Sequence, residues 1–339
     1  MADIMKRLSE ENGVSGNETA LRNLIIDEIE EYADNIEADT MGNLIALKKG
    51  KSSSKTLAVT ANIDEPGFIV SAVTDTGYLK FKAVGTIDPR KVISKKVVIG
   101  DNKIKGVIGM KAIHLQTKSE RENIVSVSKL FIDIGAKNKA DAEKYVRLGD
   151  YVTFDTDFEV IGSNVKGKAL DRSGACCAVI NAMKTEYPFD TYFCFLAQHE
   201  VGSRGAKIIS HRLNPDAVIT VSSADTADMY GCEKNIGGAS VGKGLVVSYS
   251  DRLFIADKKL TDAMIKAARS ENINLQLNAL KEFSGDAGAM QTSANGTRCL
   301  SISIPCRYSH SPVSIMSVDD VKSTSEYVGL FLNKIGEMI

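Results

Sequence analysis

The side chains best suited to chemistry in this chain of 339 residues are carboxylates and imidazoles at the ends of predicted strands. Asp64 follows an apolar run, Asp171 precedes a predicted helix, and the pair His199-Glu200 lies where a strand gives way to a glycine-containing turn. His310 follows a later apolar run. Open α/β sheets bind their ligands at the carboxyl ends of strands. Carboxylates combined with a neutral imidazole also suit zinc or a similar divalent ion.

These residues lack a diagnostic local spacing such as His-Glu-x-x-His, so their types alone leave structural roles open. Asp171 could simply accept hydrogen bonds from the first N–H groups of its helix. Glu200 could form a salt bridge in its turn, and His310 could be a hydrogen-bonded buried histidine. The secondary structure around these residues determines whether they lie close together, and this distinguishes a shared site from separate structural roles.

Two patterns of predicted secondary structure surround the candidates. The opening part predicts a helix over residues 19–36, followed by a hairpin of strands 44–48 and 56–60. After residue 167, apolar strands alternate with helices, which predicts a three-layer α/β domain. The predicted strands of this part are 191–197, 217–221 and 300–304, and its helices are 174–186, 203–210, 261–270 and 318–335.

Residues 68–159 have a different sequence pattern, in which short β-rich runs are separated by Gly and Asp turns and by one predicted helix at 139–145. The predicted strands of this region are 68–73, 78–84, 96–99, 106–108, 130–134 and 151–154. Several short strands at this spacing predict a small barrel or a sandwich. Since α/β segments flank the region on both sides, we predict an inserted β-rich domain at 68–159. The α/β domain then consists of residues 1–67 and 160–339.

Composition narrows the class of protein. With 42 basic and 43 acidic residues and a formal net charge of -1, the chain lacks the basic surface expected of a nucleic-acid binder. No apolar stretch approaches the roughly 18 residues of a membrane span, and the first residues lack an apolar signal segment. We therefore expect a cytoplasmic protein that binds neither nucleic acid nor membrane. The six cysteines are predicted to be buried thiols.

Blocks of sequence along nearly the whole chain resemble one family, the dinuclear metallo-aminopeptidases. This family includes the glutamyl, deblocking and tetrahedral aminopeptidases, some of which have been labelled cellulase M. The matching blocks are 12–18, 39–43, 63–70, 85–90, 106–110, 130–135, 168–174, 198–206 and 305–312. The resemblance implies an α/β fold with a three-layer zinc-peptidase-like domain and an inserted small β-barrel-like domain. It also implies peptide substrates and self-association into a homo-oligomer, often a dodecamer.

The resemblance further implies roles for individual residues. Asp171, Glu200 and His310 match the ligands of one metal position, which implies one bound divalent ion, either zinc or cobalt or manganese. His199 stands where the family has the glutamate that acts as general base. Because an imidazole can accept a proton near neutral pH, we expect His199 to be the catalytic base, although its ring could instead bind the metal.

The second metal position of the family is not preserved in this chain. Its histidine is Asn62 and its aspartate aligns with Ser222, so we expect no second ion. Asp64 matches the aspartate that orients the missing histidine, and we expect it to be a hydrogen-bonding turn residue or a partner of Asn62. Asp225 lies three residues beyond Ser222 and can replace the lost ligand only if its loop folds back.

Two functions follow from this pattern. The first is a metallo-aminopeptidase that hydrolyses N-terminal residues from peptides with a degraded dinuclear site. The second is a catalytically silent paralogue that binds peptides or assembles with active subunits. Fold alone does not choose between them, because function depends on the site. The glycine-containing stretch 235–244 is predicted to lie near the pocket in either case.

Overall fold

A computed structural model describes residues 1–232, 238–278, 285–293 and 295–339. The helices of this part are α1 (Ala2–Glu10), α2 (Thr19–Ile29), α3 (Lys118–Glu122), α4 (Lys139–Ala142), α5 (Leu170–Ala182), α6 (Arg204–Leu213), α7 (Lys258–Ser270), α8 (Asp286–Gln291) and α9 (Val318–Lys334).

The first nine strands, in chain order, are β1 (Asn35–Ala38), β2 (Leu44–Lys48), β3 (Ser52–Asn62), β4 (Gly67–Val73), β5 (Leu79–Val84), β6 (Lys96–Ile99), β7 (Ile104–Gly109), β8 (Phe131–Asp133) and β9 (Tyr151–Phe154). The remaining strands are β10 (Glu159–Ile161), β11 (Asn164–Gly167), β12 (Phe189–Leu196), β13 (Ala217–Asp225), β14 (Leu245–Ser248), β15 (Leu275–Asn278), β16 (Arg298–Arg307) and β17 (Ser314–Ser317).

A large mixed sheet forms the centre of the α/β part. Its main order is β1-β2-β12-β3-β13-β16-β17-β11-β10, with β14 and β15 attached beside β16. The neighbours β12, β3, β13 and β16 are parallel. Their apolar sequences follow from burial on both faces, because parallel strands are covered by helices on each side.

Side chains alternate between two apolar cores on the faces of this sheet. On β3, Leu57 and Val59 belong to the core that contains α1, α2, α5, α7 and α9. Ala58, between them, belongs to the core on the other face, which contains residues of α6 and α8. Helices therefore cover the sheet on both sides, which confirms the predicted three-layer α/β arrangement.

The strands between β3 and β10 close into a barrel of the order β4-β5-β8-β7-β6-β9. A separate apolar core fills it, in which the Phe68 ring meets Phe81 and Phe154 edge to face at 4.8 and 5.7 Å between ring centroids. Of the two predicted alternatives, barrel and sandwich, the barrel is therefore correct. The chain returns to the large sheet at β10, and 68–159 stays our predicted extent for the inserted domain.

Two predictions for the opening segment are wrong. The helix predicted over 19–36 ends as α2 at Ile29, and Asn35–Ala38 forms β1 instead. The predicted hairpin of strands 44–48 and 56–60 does not form, because β12 lies between β2 and β3. β2 pairs with β1 across a tight turn in which Asp39 Oδ1 accepts hydrogen bonds from the N–H groups of Met41 and Asn43, each at 2.9 Å.

Further differences concern single features. The sequence patterns did not predict helices α1, α3 and α8 or strands β1, β10, β11, β14, β15 and β17. Five cysteines are buried as expected, but Cys232 is exposed, because it lies in a loop rather than in an apolar run. Among the described residues, no helix is both long enough and apolar enough to cross a membrane.

Candidate active site

The four parallel strands of the large sheet bring most candidate residues to one edge. Asn62 is the last residue of β3, and His199 and Glu200 follow the end of β12. Asp225 ends β13, and His310 lies shortly beyond β16. Because neighbouring parallel strands end at the same side of a sheet, residues far apart in sequence meet there.

Asp171, Glu200 and His310 lie close enough together to bind one ion. One potential ligand atom from each lies within 4.8 Å of the other two. His310 Nε2 is 3.8 Å from Asp171 Oδ2 and 3.7 Å from Glu200 Oε1. Ligand atoms about 2.0–2.2 Å from a tetrahedral zinc are roughly 3.4 Å apart. The donor set and its spacing therefore fit a divalent cation after a small contraction.

The electrostatics of these three residues also favour a cation. Burial raises the pKa of Glu200 to about 7, although His310 and His199 lower it and Asp64 and Asp171 raise it further. The Glu200 side chain is only 6% exposed. A dication beside it would stabilise the ionised carboxylate that burial disfavours.

The backbone around the three candidate ligands is unusual. Among the described non-glycine residues, Ala169, Gln198, Ser203, Tyr308 and His310 all have left-handed φ values, between 47° and 59°. These residues precede Asp171, flank His199-Glu200 and form the turn that carries His310. Left-handed non-glycine residues cost free energy and cluster at functional sites. The strain here is concentrated in the three segments that supply the candidate ligands.

Asp64 fixes the turn that carries His199 and Glu200. Its buried carboxylate accepts hydrogen bonds from the N–H groups of both residues, each at 2.9 Å, and from Ser15 Oγ at 2.5 Å. Burial raises the pKa of Asp64, whereas His199 and these hydrogen bonds lower it in part. Asn62 Nδ2 donates to the Asp64 carbonyl oxygen at 3.1 Å. Asp64 thus contacts Asn62 through its backbone carbonyl, whereas its carboxylate binds Ser15, His199 and Glu200.

His199 has a carboxylate partner that sequence analysis missed. His199 Nδ1 lies 2.8 Å from Asp286 Oδ1, at the start of α8. Burial lowers the pKa of His199, but Asp286, Glu200 and Asp64 outweigh it and raise the pKa to about 10. No local spacing connects Asp286 with His199, and the only sequence signal is an acidic residue after Gly285 where a helix begins.

The residues at the predicted second metal position, Asn62 and Ser222, are neutral, and each forms a hydrogen bond with another residue. Ser222 Oγ lies 3.0 Å from Ser303 Oγ on the neighbouring strand β16. β13 continues in register with β16 through Asp225, so the chain does not fold back after Ser222. Asp225 stands about 10 Å further along the strand, at about 3.3 Å per residue, and Ser309 Oγ donates a hydrogen bond to it.

A cavity of about 690 Å³ opens over these residues, and the barrel supplies one of its walls. Thr86, Asp88 and Lys91, between β5 and β6, line it together with Asp171, Glu200 and His310. Gly85, with φ +79°, packs so closely that a Cβ atom there would lie 3.0 Å from Glu200 Cβ. The barrel therefore touches the candidate metal position directly.

Glu65 belongs to a buried ion cluster and is not a candidate metal ligand. Its Oε1 accepts from Lys168 Nζ at 2.7 Å, from Arg172 Nη2 at 3.1 Å and from Gly13 N at 3.1 Å. The cluster ties the N-terminal loop to the segment between β3 and β4 and to the helix that carries Asp171.

Two further histidines and one glycine-containing loop remain to be placed relative to the candidate metal position. His114 and His211 are exposed and do not line the cavity. Residues 235–237 of the predicted pocket stretch lie outside the described residues. In its described part, the N–H groups of Gly242 and Gly244 donate to Asp320 at 2.6 and 2.7 Å, which anchors this loop to α9.

Known proteins are similar to this chain over both the large sheet and the barrel. The sequence profile of a family described as M42 glutamyl aminopeptidase matches residues 42–327. An Acetivibrio thermocellus protein assigned as an aminopeptidase is 37% identical over 328 residues, which cover 95% of this chain and 96% of that protein. The crystal structure of a TET aminopeptidase from a thaumarchaeon of marine sediment has a TM-score of 0.94 at 29% identity, covering 98% of this chain and 96% of that chain. The Pyrococcus horikoshii TET1 peptidase, which can assemble into a tetrahedron or a large octahedral shell, has a TM-score of 0.88 at 28% identity, covering 98% and 99%.

Proposed function

Because the chain belongs to the M42 glutamyl aminopeptidase family, we propose that it hydrolyses N-terminal residues from peptides with a single divalent ion. The observation that carries this proposal is the convergence of Asp171, Glu200 and His310 within 4.8 Å. Zinc, cobalt and manganese all accept such a mixed carboxylate and imidazole set. When bound, such an ion supplies Lewis acidity that activates water and polarises a carbonyl.

His199 is the proposed general base, and Asp286 orients it. With Nδ1 bonded to Asp286, Nε2 is the ring nitrogen left for proton exchange at the cavity wall. A carboxylate on the far nitrogen fixes the tautomer and stabilises the protonated ring after transfer. The high pKa of His199 rests partly on Glu200, so a cation bound to Glu200 would lower it toward the range that a base requires.

The second metal position is proposed to be empty of metal because Asn62 and Ser222 carry no charge. A reconstruction tests this assignment: His199→Glu, Asn62→His and Ser222→Asp combined should add a second bound ion, counted by mass spectrometry of the metals. If the reconstructed protein still binds one ion, the alignment of these positions is wrong.

Metal content and turnover together test the proposed activity. We expect about one ion per chain and hydrolysis of aminoacyl anilides in the presence of added zinc, cobalt or manganese. His310→Ala should weaken metal binding and abolish hydrolysis, because it removes the only imidazole of the ligand set. A protein that binds no ion and hydrolyses no member of the panel would contradict the proposal.

The neutral residues at the second position favour one alternative, a silent paralogue that binds peptides or assembles with active subunits. This alternative predicts peptide binding without turnover at any metal concentration. Hydrolysis that disappears in His310→Ala would rule it out.

Self-association is the final part of the proposal. The TET1 peptidase assembles into closed shells, and we propose that this chain also forms a homo-oligomer, a dodecamer as the resemblance implies. Light scattering coupled to size-exclusion chromatography measures the assembly mass directly. A monomeric mass at micromolar concentration would contradict it.

A further inference from the structure

Most of the charges that line the cavity have an evident partner. The Asp88 carboxylate binds Arg90 through two oxygens, with Nε 3.0 Å from Oδ1 and Nη2 2.6 Å from Oδ2. His199 is paired with Asp286 at 2.8 Å. In the proposed enzyme, the charges of Asp171 and Glu200 are offset by the divalent ion.

Among the described residues, two charges of opposite sign have no ion-pair partner within 4 Å, although Lys91 is near enough to Asp88 to help lower the pKa of that carboxylate. Within the part of the chain that the structure describes, no cationic side chain lies within 4 Å of the Asp225 carboxylate, and no carboxylate lies within 4 Å of the Lys91 ammonium. Asp225 accepts a hydrogen bond from the hydroxyl of Ser309, which is a neutral donor. Both side chains are exposed and both line the same cavity.

The two charges come from different parts of the fold. Asp225 ends strand β13 at the edge of the large sheet, whereas Lys91 lies on the barrel segment between β5 and β6. A cavity of about 690 Å³ is within the range that binds small molecules. It matches a ligand of a few residues better than a long chain.

We propose that this pocket selects short zwitterionic peptides, with Asp225 binding the α-ammonium group and Lys91 binding a carboxylate of the same substrate. The inference rests on the proposed function, since an aminopeptidase substrate carries a free N-terminus. The carboxylate belongs either to the C-terminus of a short peptide or to an acidic side chain. Either source presents the same charge to Lys91.

Equilibrium binding tests the pairing without relying on turnover. The probes are ketomethylene analogues of Leu-Gly, in which a CH2 group replaces the scissile N–H so that no bond can be hydrolysed. Calorimetry on the zinc-loaded protein compares the free analogue with its N-acetyl form and with its C-terminal amide. A second pair, the amides of the Glu-Gly and Gln-Gly analogues, separates a side-chain carboxylate from a C-terminal one.

Each substitution should weaken binding only of those ligands that carry the group bound by the substituted residue. Lys91→Met should weaken binding of the free C-terminus, of the Glu analogue, or of both by about fivefold, as expected for one partly exposed ion pair. The same variant should leave the amide and the Gln analogue unchanged. Asp225→Asn should weaken the free-amine ligands by a similar factor and leave the N-acetyl form unchanged. Lys95→Met and Asp75→Asn, exposed residues outside the cavity wall, should change none of these affinities.

Three outcomes would overturn the inference. Lys91→Met could weaken acid and amide ligands equally, or change neither. Asp225→Asn could weaken the N-acetyl form as much as the free amine. The protein could also hold a second divalent ion that disappears in Asp225→Asn, which would make Asp225 a metal ligand. Failure of the proposed function is separate, because it shows as absent hydrolysis while this binding pattern persists.

Discussion

The three candidate ligands differ in how firmly the chain holds them. Asp171 is on a buried helix and Glu200 is fixed through the hydrogen bonds of Asp64 to its turn. His310 sits in a short turn, and its side chain is 36% exposed. It is therefore the ligand that can be removed with the least damage to packing.

The first prediction concerns this histidine. His310→Ala should lower the affinity for zinc by about 100-fold or more, because the remaining carboxylates form an incomplete set. Competition with a chelator of known affinity measures the change. His211→Ala is the matched control, since His211 is exposed and outside the cavity. Equal affinities in the two variants would remove His310 from the ligand set.

The second prediction concerns the partner of His199. Asp286→Asn removes the carboxylate that contributes most to raising the pKa of His199, so that pKa should fall from about 10 toward the ordinary value of about 6.5. Titration of the ring protons by NMR on the metal-free protein measures it. If His199 is the base, hydrolysis should fall by about 100-fold or more. An unchanged pKa would mean that the contact does not persist in solution.

The same pair predicts how stability depends on pH. A histidine whose folded-state pKa is raised stabilises the fold fully below its unfolded pKa of about 6.5. This stabilisation is lost as the pH rises through about 10. The metal-free protein should therefore lose more unfolding free energy between pH 7 and pH 10 than Asp286→Asn does. Urea unfolding at both pH values measures the difference, and parallel losses would contradict the assignment.

For single residues, the sequence predicted which side chains belong to the candidate site better than it predicted what those side chains contact. Asp171, Glu200 and His310 could be singled out because family blocks surround them. Asp286 could not, because a contact between a strand end and a distant helix leaves no spacing in the sequence. Asp64 was expected to be a hydrogen-bonding turn residue or a partner of Asn62, but its carboxylate also accepts hydrogen bonds from the N–H groups of His199 and Glu200, which only the paired strands bring near.

At the scale of elements, the ion cluster of Glu65 joins the segment between β3 and β4 to α5. Burial raises the pKa of Glu65, but Lys168 and Arg172 outweigh it and hold the pKa below its usual value. The cluster therefore stabilises the fold at neutral pH and is lost as the pH falls through this lowered value.

The third prediction follows from this burial. Glu65→Gln leaves two buried cations without their partner, so the free energy of unfolding should fall by about 3–5 kcal/mol. Glu186→Gln is the control, because Glu186 pairs with Lys48 at 3.0 Å but its side chain is 78% exposed. Its loss should cost less than about 1 kcal/mol. Similar midpoints of urea unfolding for the two variants would contradict the role of the cluster.

The apolar strands were the elements that sequence analysis predicted best, because burial on both faces leaves a continuous apolar run. β2, β6 and β9 have the predicted bounds. Pairing was predicted poorly, since adjacency in sequence suggested a hairpin of β2 with β3. The large sheet inserts β12 between them, and strand order depends on contacts that no local pattern records.

At the scale of the whole molecule, the barrel contributes residues to the wall of the candidate active site. Gly85 packs against Glu200, and a Cβ atom at this position would lie 3.0 Å from the Cβ of this candidate ligand, so that Glu200 would have to shift slightly. The barrel thus limits where Glu200 can lie.

The fourth prediction uses this contact. Gly85→Ala should weaken zinc binding by about tenfold, as other changes that displace a ligand do. Gly135→Ala is the matched control, because Gly135 also has a left-handed φ of +76° but nothing lies within 4 Å of its added Cβ. Both variants should lose similar stability through backbone strain of about 1 kcal/mol. Equal zinc affinities would show that the barrel does not constrain Glu200.

The four parallel strands that end at the cavity also have a consequence for folding. The whole barrel separates β3 from β12 in sequence, and a long stretch of chain, from Asp225 to Arg298, separates β13 from β16. Such distant pairings form slowly, because loop closure costs entropy before contacts repay it. The metal position can exist only after all four strands have docked. Zinc uptake during refolding should therefore follow the last kinetic phase and report on completion of the sheet.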